Sequence, residues 1–451
     1  MQKSGEMDMC RGPLLRKIIL FAVPVMLSSI LQLLFNAADI IVVGRFTGSD
    51  AMAAVGSTSS LVALFTNLFI GLSVGTNVVV AQFYGAKDEK AVGEAVHTAI
   101  LTSMISGALL IVIGIFLSGP MLILMGAPEN VMEQSVLYMT IYFFGMPGNM
   151  IYNFGSAVLR AVGNTRKPLY YLVTAGVINV ILNLVLVVGF HLGVAGVGIA
   201  TAVSECISAL LILRCLMKYD GMIHLNLKKL RIVPNKLKKI LRIGIPAGMQ
   251  GVIFSVSNVL IQSSINSFGA VAMAGNSAAG NLEGFVYASM NALHQTAISF
   301  TSQNYGGGQY GRIKKIMGYC LICVTVTGIV LGGGAYLLNP FLLQIYSSDA
   351  QVIRYGARRM LLICVPYFLC GIMDVMAGML RGLGYSVVPM IVSLLGACGF
   401  RVVWIFTIFQ MHRTLDCLYL SYPISWVLTG CVHLLCFFLI WRKHGADIAR
   451  Q

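Results

Sequence analysis

The chain has 451 residues, of which 57% are hydrophobic and only 10% charged, and its mean hydropathy is +0.84. Soluble domains carry about 25% charged residues, so this composition excludes a soluble enzyme or binding module and describes an integral membrane protein. A net charge of +15 would suggest a nucleic-acid partner in a soluble chain; here the basic residues gather in alternate inter-span loops, which argues against that partner.

A membrane helix needs about 20 mainly apolar residues. Breaking the chain at Gly, Pro and charge clusters predicts twelve spans, over 17–45, 52–84, 93–119, 131–160, 168–190, 194–217, 240–268, 272–304, 312–339, 351–381, 386–411 and 416–442. Long unbroken apolar runs exclude an outer-membrane β-barrel, whose strands alternate over about ten residues. Lys3, Arg11, Arg16 and Lys17 begin the basic series, followed by Lys87/Lys90, Arg160/Arg166/Lys167, the stretch 218–242, Arg312/Lys314/Lys315, Arg381 and Arg442/Lys443. The intervening loops are poor in basic residues, and "GAPENVME" is acidic. This positive-inside pattern predicts a multi-pass protein of the cell membrane with both termini in the cytoplasm; Arg358 and Arg359 are the exception. The first span lacks the short core and small-residue cleavage site of a signal peptide. Eleven scattered cysteines, including Cys320 and Cys323 without a second pair, read as packing residues and not as a metal or redox site.

The first span raises the functional question, because a carboxylate at the centre of a membrane helix costs about 2.5–3.5 kcal/mol on insertion scales. Asp39 sits there beyond a charge-free run from 18 to 38. Ser28, Gln32, Asn36 and Asp39 recur at steps of four, four and three, one stripe of a helix that must face a cavity or another helix. Pro24 is a candidate hinge, since it removes a backbone hydrogen bond. Glu205 lies in the sixth span, facing undetermined. In the eighth span Glu283, Tyr287, Asn291 and His294 repeat the four-four-three spacing, as a proton relay or cation site or as a structural hydrogen-bond ladder. Asp374 and Arg401 lie deep in the tenth and eleventh spans, where a mutual ion pair would neutralise both. Paired small residues at 71/75, 189/193 and 280/284 suggest close helix packing.

The chain repeats itself at an offset close to half its length. "ILFAVPVMLSSILQLLFNAADI" (19–40) aligns with "ILRIGIPAGMQGVIFSVSNVLI" (240–261), "AQFYGAK" (81–87) with "SQNYGGG" (302–308), and "NFGSAVLRAVGNTRKP" (153–168) with "DVMAGMLRGLGYSVVP" (374–389). Six spans per half give a parallel repeat: a cytoplasmic N-terminus (1–16), an N-lobe (17–217), a basic linker (218–239), a C-lobe (240–442) and a tail (443–451). The expected fold is all-α, twelve helices in two lobes around a central cleft. Asn153 aligns with Asp374, and Ile261 stands opposite Asp39, so the repeat itself does not require an acid there. Walker A, HExxH and GxSxG motifs are not found, which leaves a secondary transporter as the leading class and a membrane-embedded enzyme as a remote one.

"NAADIIVVGRFTGSDAMAAVG", "LRAVGNTRKP", "GVAGVGIATAVSE" and "LRGLGYSVVP" resemble, across essentially the whole chain, the multidrug and toxic compound extrusion (MATE) family, in particular its bacterial branch containing the DNA-damage-inducible protein. The resemblance implies a cation-coupling site at Asp39, Asn179 and Thr201, with Asn183 where that branch often has a second Asp. One carboxylate instead of two, and "GVIFSVSN" where the sodium-coupled branch has a Glu, favour H+ over Na+ as coupling ion, Na+ at Asp39 remaining the alternative. The implied activity is efflux of organic cations or zwitterionic apolar compounds, by a monomer without cofactor, resident metal or nucleic acid. Gln32, Asn36, Asn153, Glu283, Asn291, His294, Asp374 and Arg401 are the further substrate or relay candidates. The rival within the superfamily is a flippase for a lipid-linked or oligosaccharide precursor.

Overall fold

The computed structural model describes residues 6–124 and 129–448. Expectations involving Lys3, residues 126–128 of the acidic loop and residues 449–451 of the tail lie outside them. The described chain is helical throughout, with twelve long segments: α1 (Leu14–Phe46), α2 (Ser49–Gly85), α3 (Glu89–Leu124), α4 (Glu129–Ala161), α5 (Arg166–Asn183), α6 (Gly193–Met217), α7 (Pro234–Asn266), α8 (Ala270–Gly306), α9 (Tyr310–Leu337), α10 (Ala350–Gly382), α11 (Val387–Met411) and α12 (Leu415–Ile448). Ten of them are long and apolar enough to cross a membrane by length and composition; α4 and α8 are not among these ten. Those two carry Asn149 and Asn153, and Asn276, Glu283 and His294, so their polarity comes from the side chains discussed below.

Regular α-helix gives way at three π-helical turns, and once more at Thr407 in α11. A π-helical turn at Leu184–Gly189 extends α5, another at Met360–Cys364 runs into a 3-10 turn (Val365–Tyr367) inside α10, and a third at Leu394–Gly399 interrupts α11. Pro366 accounts for the second break, because it has no N–H to donate to the preceding turn. Such bulges concentrate at functional sites.

The duplication is written into the turns. Gly48 and Gly269, Lys87 and Gly308, and Gly163 and Gly384 hold matching positions with positive φ. Gly163 N–H donates to Arg160 O (2.9 Å) and Asn164 N–H to Leu159 O (2.9 Å); Gly384 and Tyr385 make the same bonds to Arg381 and Leu380 at 2.8 and 3.0 Å. This is the Schellman closure, which favours glycine at the left-handed position. Lys87 is the exception, with φ 58° where the second copy has glycine.

The described residues form two compact units, which do not divide where the repeat divides. One holds 6–8, 27–124, 129–249 and 306–308; the other holds 9–26, 250–305 and 309–448. The first part of α1 thus belongs with the second unit, where Phe21 meets Phe300 edge to face at 5.5 Å, and Met9 N–H donates to Gln303 Oε1 at 2.7 Å. The first part of α7 belongs with the first unit. A Cβ on Gly71 would lie 2.2 Å from the Gly248 nitrogen, and one on Gly75 2.3 Å from Ile240 O, so close packing is the role of that small-residue pair. Gly280 and Gly284 do not pack this way: both face open space and line a cavity. Nor does the third pair, since Gly189 meets nothing and Gly193 serves a positive-φ turn. Pro24 and Pro246 each lie a few residues before the point where their helix passes from one unit to the other.

Candidate functional site

In the first unit α1, α4, α5 and α6 enclose a cavity of about 190 Å³. Gln32, Asn36 and Asp39 of the α1 stripe line it, while Ser28 lies outside. Gly176 lets the Phe35 ring pack directly on α5 at the cavity wall: a Cβ there would fall 1.9 Å from the ring. Asn179 and Asn183, one turn apart on α5, converge with Thr201 of α6 on the Asp39 carboxylate. Asn183 Nδ2 donates to Asp39 Oδ1 at 2.5 Å and to Asn179 Oδ1 at 3.1 Å; Thr201 Oγ1 donates to Asp39 Oδ2 at 3.3 Å. Asn179 Nδ2 donates to Thr201 Oγ1 at 3.5 Å, which closes the cluster. Asp39 and Asn179 are buried, and the Asn183 Oδ1 atom is buried without a partner. Among the described residues no Lys, Arg or His lines this cavity, and the carboxylate is held by the neutral donors Asn183 and Thr201.

Glu205 faces the same cavity, which answers its orientation. Asn149 donates to Glu205 Oε1 at 2.8 Å, and Asn153 donates to Asn149 Oδ1 at 2.8 Å. Glu205 Oε2 is buried without a hydrogen bond. Asn149 escaped the sequence reading, although its four-residue spacing from Asn153 on α4 was a signal for it.

The second unit separates the α8 stripe into two settings. Glu283 is not free to relay protons along the helix: Arg359 holds it with two bonds, Nε to Oε1 at 2.9 Å and Nη2 to Oε2 at 2.7 Å. Arg359 also donates to Asn276, whose amide in turn donates to Gln262 at 3.0 Å. His294 Nδ1 is 2.6 Å from the Asp374 carbonyl and its Nε2 is 3.2 Å from Arg381 Nη1. Since a guanidinium only donates, Nε2 is the acceptor and the proton sits on Nδ1. Arg381 Nη2 donates to Gln250 at 2.6 Å. Tyr287 lies within electrostatic reach of Asp374.

Two further expectations change. The Asp374–Arg401 pair does not form; Arg401 Nε donates to Ser425 at 3.0 Å and its guanidinium stacks 4.2 Å from the Tyr422 ring centroid. The two arginines that break the charge pattern are both paired with acids. Arg359 is buried against Glu283, and Arg358 meets Asp416 in an exposed pair at 2.6 Å, so neither contributes a free loop charge. Arg381, counted among the loop residues, is buried. No group of three or more His, Cys, Asp or Glu positioned to hold a metal occurs among the described residues.

The MatE family model matches residues 24–185 and, a second time, 246–407. The chain is 28% identical over 438 residues to the probable multidrug resistance protein YoeA of Bacillus subtilis, covering 95% of this chain and 94% of that protein. With the multidrug export protein MepA of Staphylococcus aureus it shares 21% identity over 376 residues, 83% of each chain. Its fold superposes on an outward-facing multidrug resistance MATE family transporter of the MOP superfamily with a TM-score of 0.88, at 21% identity and 100% coverage of both. For the MATE transporter VcmN of Vibrio cholerae in its bent form the TM-score is 0.86, at 19% identity, covering 95% and 97%.

Proposed function

Since the chain belongs to the MATE family of multidrug transporters, we propose that it is a secondary antiporter that exports cationic or zwitterionic apolar compounds in exchange for protons. The observation that carries this reading is the Asp39 cluster: one buried carboxylate, held by Asn183 and Thr201, in a cavity lined by no base. In the charged state the carboxylate accepts from both donors and ties α1 to α5 and α6. Protonation removes the charge and one acceptor position, which releases the Asn183 amide and with it the tie between helices. Pro24, just before α1 changes unit, is the bend at which that release would be felt. Alternation of access between the two sides follows from coupling this local change to the helices that cross between units. Glu205, with one oxygen unpartnered in the same cavity, is the natural counter-group for the substrate's positive end. Both termini face the cytoplasm on this reading, as the loop charges suggest.

One proton exchanged for one monovalent cation moves no net charge. Each pH unit then supports about a tenfold substrate gradient, because about 1.4 kcal/mol corresponds to a factor of ten. Sodium is the second reading, supported by the free Asn183 Oδ1: turning that amide would offer Asp39, Asn183, Asn179 and Thr201 oxygens together. The test is efflux of a fluorescent cationic dye from proteoliposomes bearing either a pH or a Na+ gradient. Wild-type protein should respond to the pH gradient, and Asp39→Asn should abolish that response. Undiminished, gradient-driven efflux by Asp39→Asn would remove the carboxylate from coupling.

A further inference from the structure

The second unit contains a larger cavity, of about 410 Å³, within the range of sites that take ring compounds. Glu283 and Arg359 lie at its polar side, their charges cancelled in the two-bond pair described above. Its opposite character is aromatic. Tyr367 and Trp426 stack with centroids 5.2 Å apart at an interplanar angle of 32°, and Tyr422 meets Trp426 at 5.9 Å and 67°. Ile363 and Tyr367 reach the cavity from the π and 3-10 turns of α10, and Arg359 from the last regular α-helical residue before them.

Behind that aromatic wall sits Arg401, 2% exposed. Its guanidinium lies 4.2 Å from the Tyr422 centroid and 5.9 Å from that of Trp426. Its Nη2 has no hydrogen-bond partner, and no carboxylate pairs with it among the described residues. Intramembrane charges are ordinarily paired, and the ring faces attract a cation without cancelling it. With Glu283 already spent on Arg359, the lining of this cavity is neutral, and Arg401 adds one unbalanced positive charge from behind Tyr422 and Trp426. The first unit's cavity has the reverse character, with Asp39 and Glu205 and no base.

We propose that the cavity of the second unit is a binding site for planar aromatic anions, the ring packing on Tyr367 and Trp426 and the anionic group meeting Arg359 in the lining, favoured by the field of the unpaired Arg401 behind the aromatic wall. Arg359 has a guarded fork: Glu283 occupies it at rest, and a ligand carboxylate is the same chemistry in the same geometry. In the antiporter this would place recognition of an aromatic carboxylate in the second unit. That consequence rests on the transporter reading, whereas binding is measured without transport, so the two can fail separately.

The test uses purified full-length protein in a neutral detergent, with 4-nitrobenzoate as probe, 4-nitrobenzamide as its uncharged counterpart, and quenching of tryptophan fluorescence as readout. The benzoate should bind at least tenfold more tightly than the amide, and Trp426→Phe should remove most of the quenching. Arg401→Gln should bring the two probes to equal affinity. Glu283→Gln, which uncovers Arg359, should tighten the benzoate about tenfold and leave the amide unchanged, a gain that misfolding cannot imitate. Equal affinity of both probes for the wild type, or weaker benzoate binding by Glu283→Gln, would overturn the proposal. So would displacement of the benzoate by phosphatidylglycerol vesicles, since the site would then be reading a lipid headgroup.

Discussion

The Glu283–Arg359 pair offers a prediction in which removing a second interaction restores stability. Arg359→Met leaves Glu283, only 4% exposed, without either of its two hydrogen bonds. Charge-assisted bonds are worth about 1.5–3 kcal/mol each, and breaking a buried pair by deleting one partner costs about 3–5 kcal/mol, most of it the stranded charge. Glu283→Leu strands Arg359 in the same way, although the Asn276 contact and the Tyr419 ring, 5.6 Å from the guanidinium, soften the loss. The double variant strands neither charge. Apolar replacement of a whole buried pair is often close to neutral, so Glu283→Leu/Arg359→Met should lie within about 1–2 kcal/mol of the wild type. Unfolding of purified protein by increasing mole fraction of dodecyl sulfate in neutral micelles, followed by circular dichroism, measures all four corners of the cycle. A double variant as unstable as the sum of the singles would refute the reasoning, because additivity means that neither side chain is stranded by loss of the other.

Arg358→Ala, which opens the exposed pair with Asp416, should leave the same unfolding curve unchanged. Gly71→Ala forces a methyl against the Gly248 backbone and should cost about 1–3 kcal/mol, while Gly280→Ala, facing open space, should cost nothing. Lys87→Gly relieves a left-handed non-glycine residue and should stabilise by about 1 kcal/mol; Gly308→Ala at the matching turn should lose about as much. Asn183→Asp sets a second carboxylate against Asp39, an arrangement that is stable only with a proton or cation between the two. Dye efflux by that variant should acquire a response to an imposed Na+ gradient, and a variant that stays indifferent to sodium would detach the carboxylate count from ion choice.

The sequence by itself determined the membrane setting, the twelve helices and the duplication, because each depends on composition, period or a repeated pattern that survives without knowledge of contacts. It also reached the Asp39 cluster: the α1 stripe marked the acid, and the resemblance supplied Asn179, Asn183 and Thr201. Residues 163 and 384 were paired from sequence alone, and their equal left-handed turns follow from the same local chemistry. Tertiary structure decided which charges are spent. Glu283 and Asp374 looked alike as intramembrane acids, yet one is locked to an arginine 76 positions away and the other has no ion pair among the described residues. Arg359 read as a stray loop charge and Arg401 as half of a pair, and the fold reverses both. The division into units was equally hidden, since α1 and α7 each serve two units along one unbroken apolar run. Pairing and packing at such separations depend on which helix faces meet, and a single helix's periodicity names a face without naming what it meets.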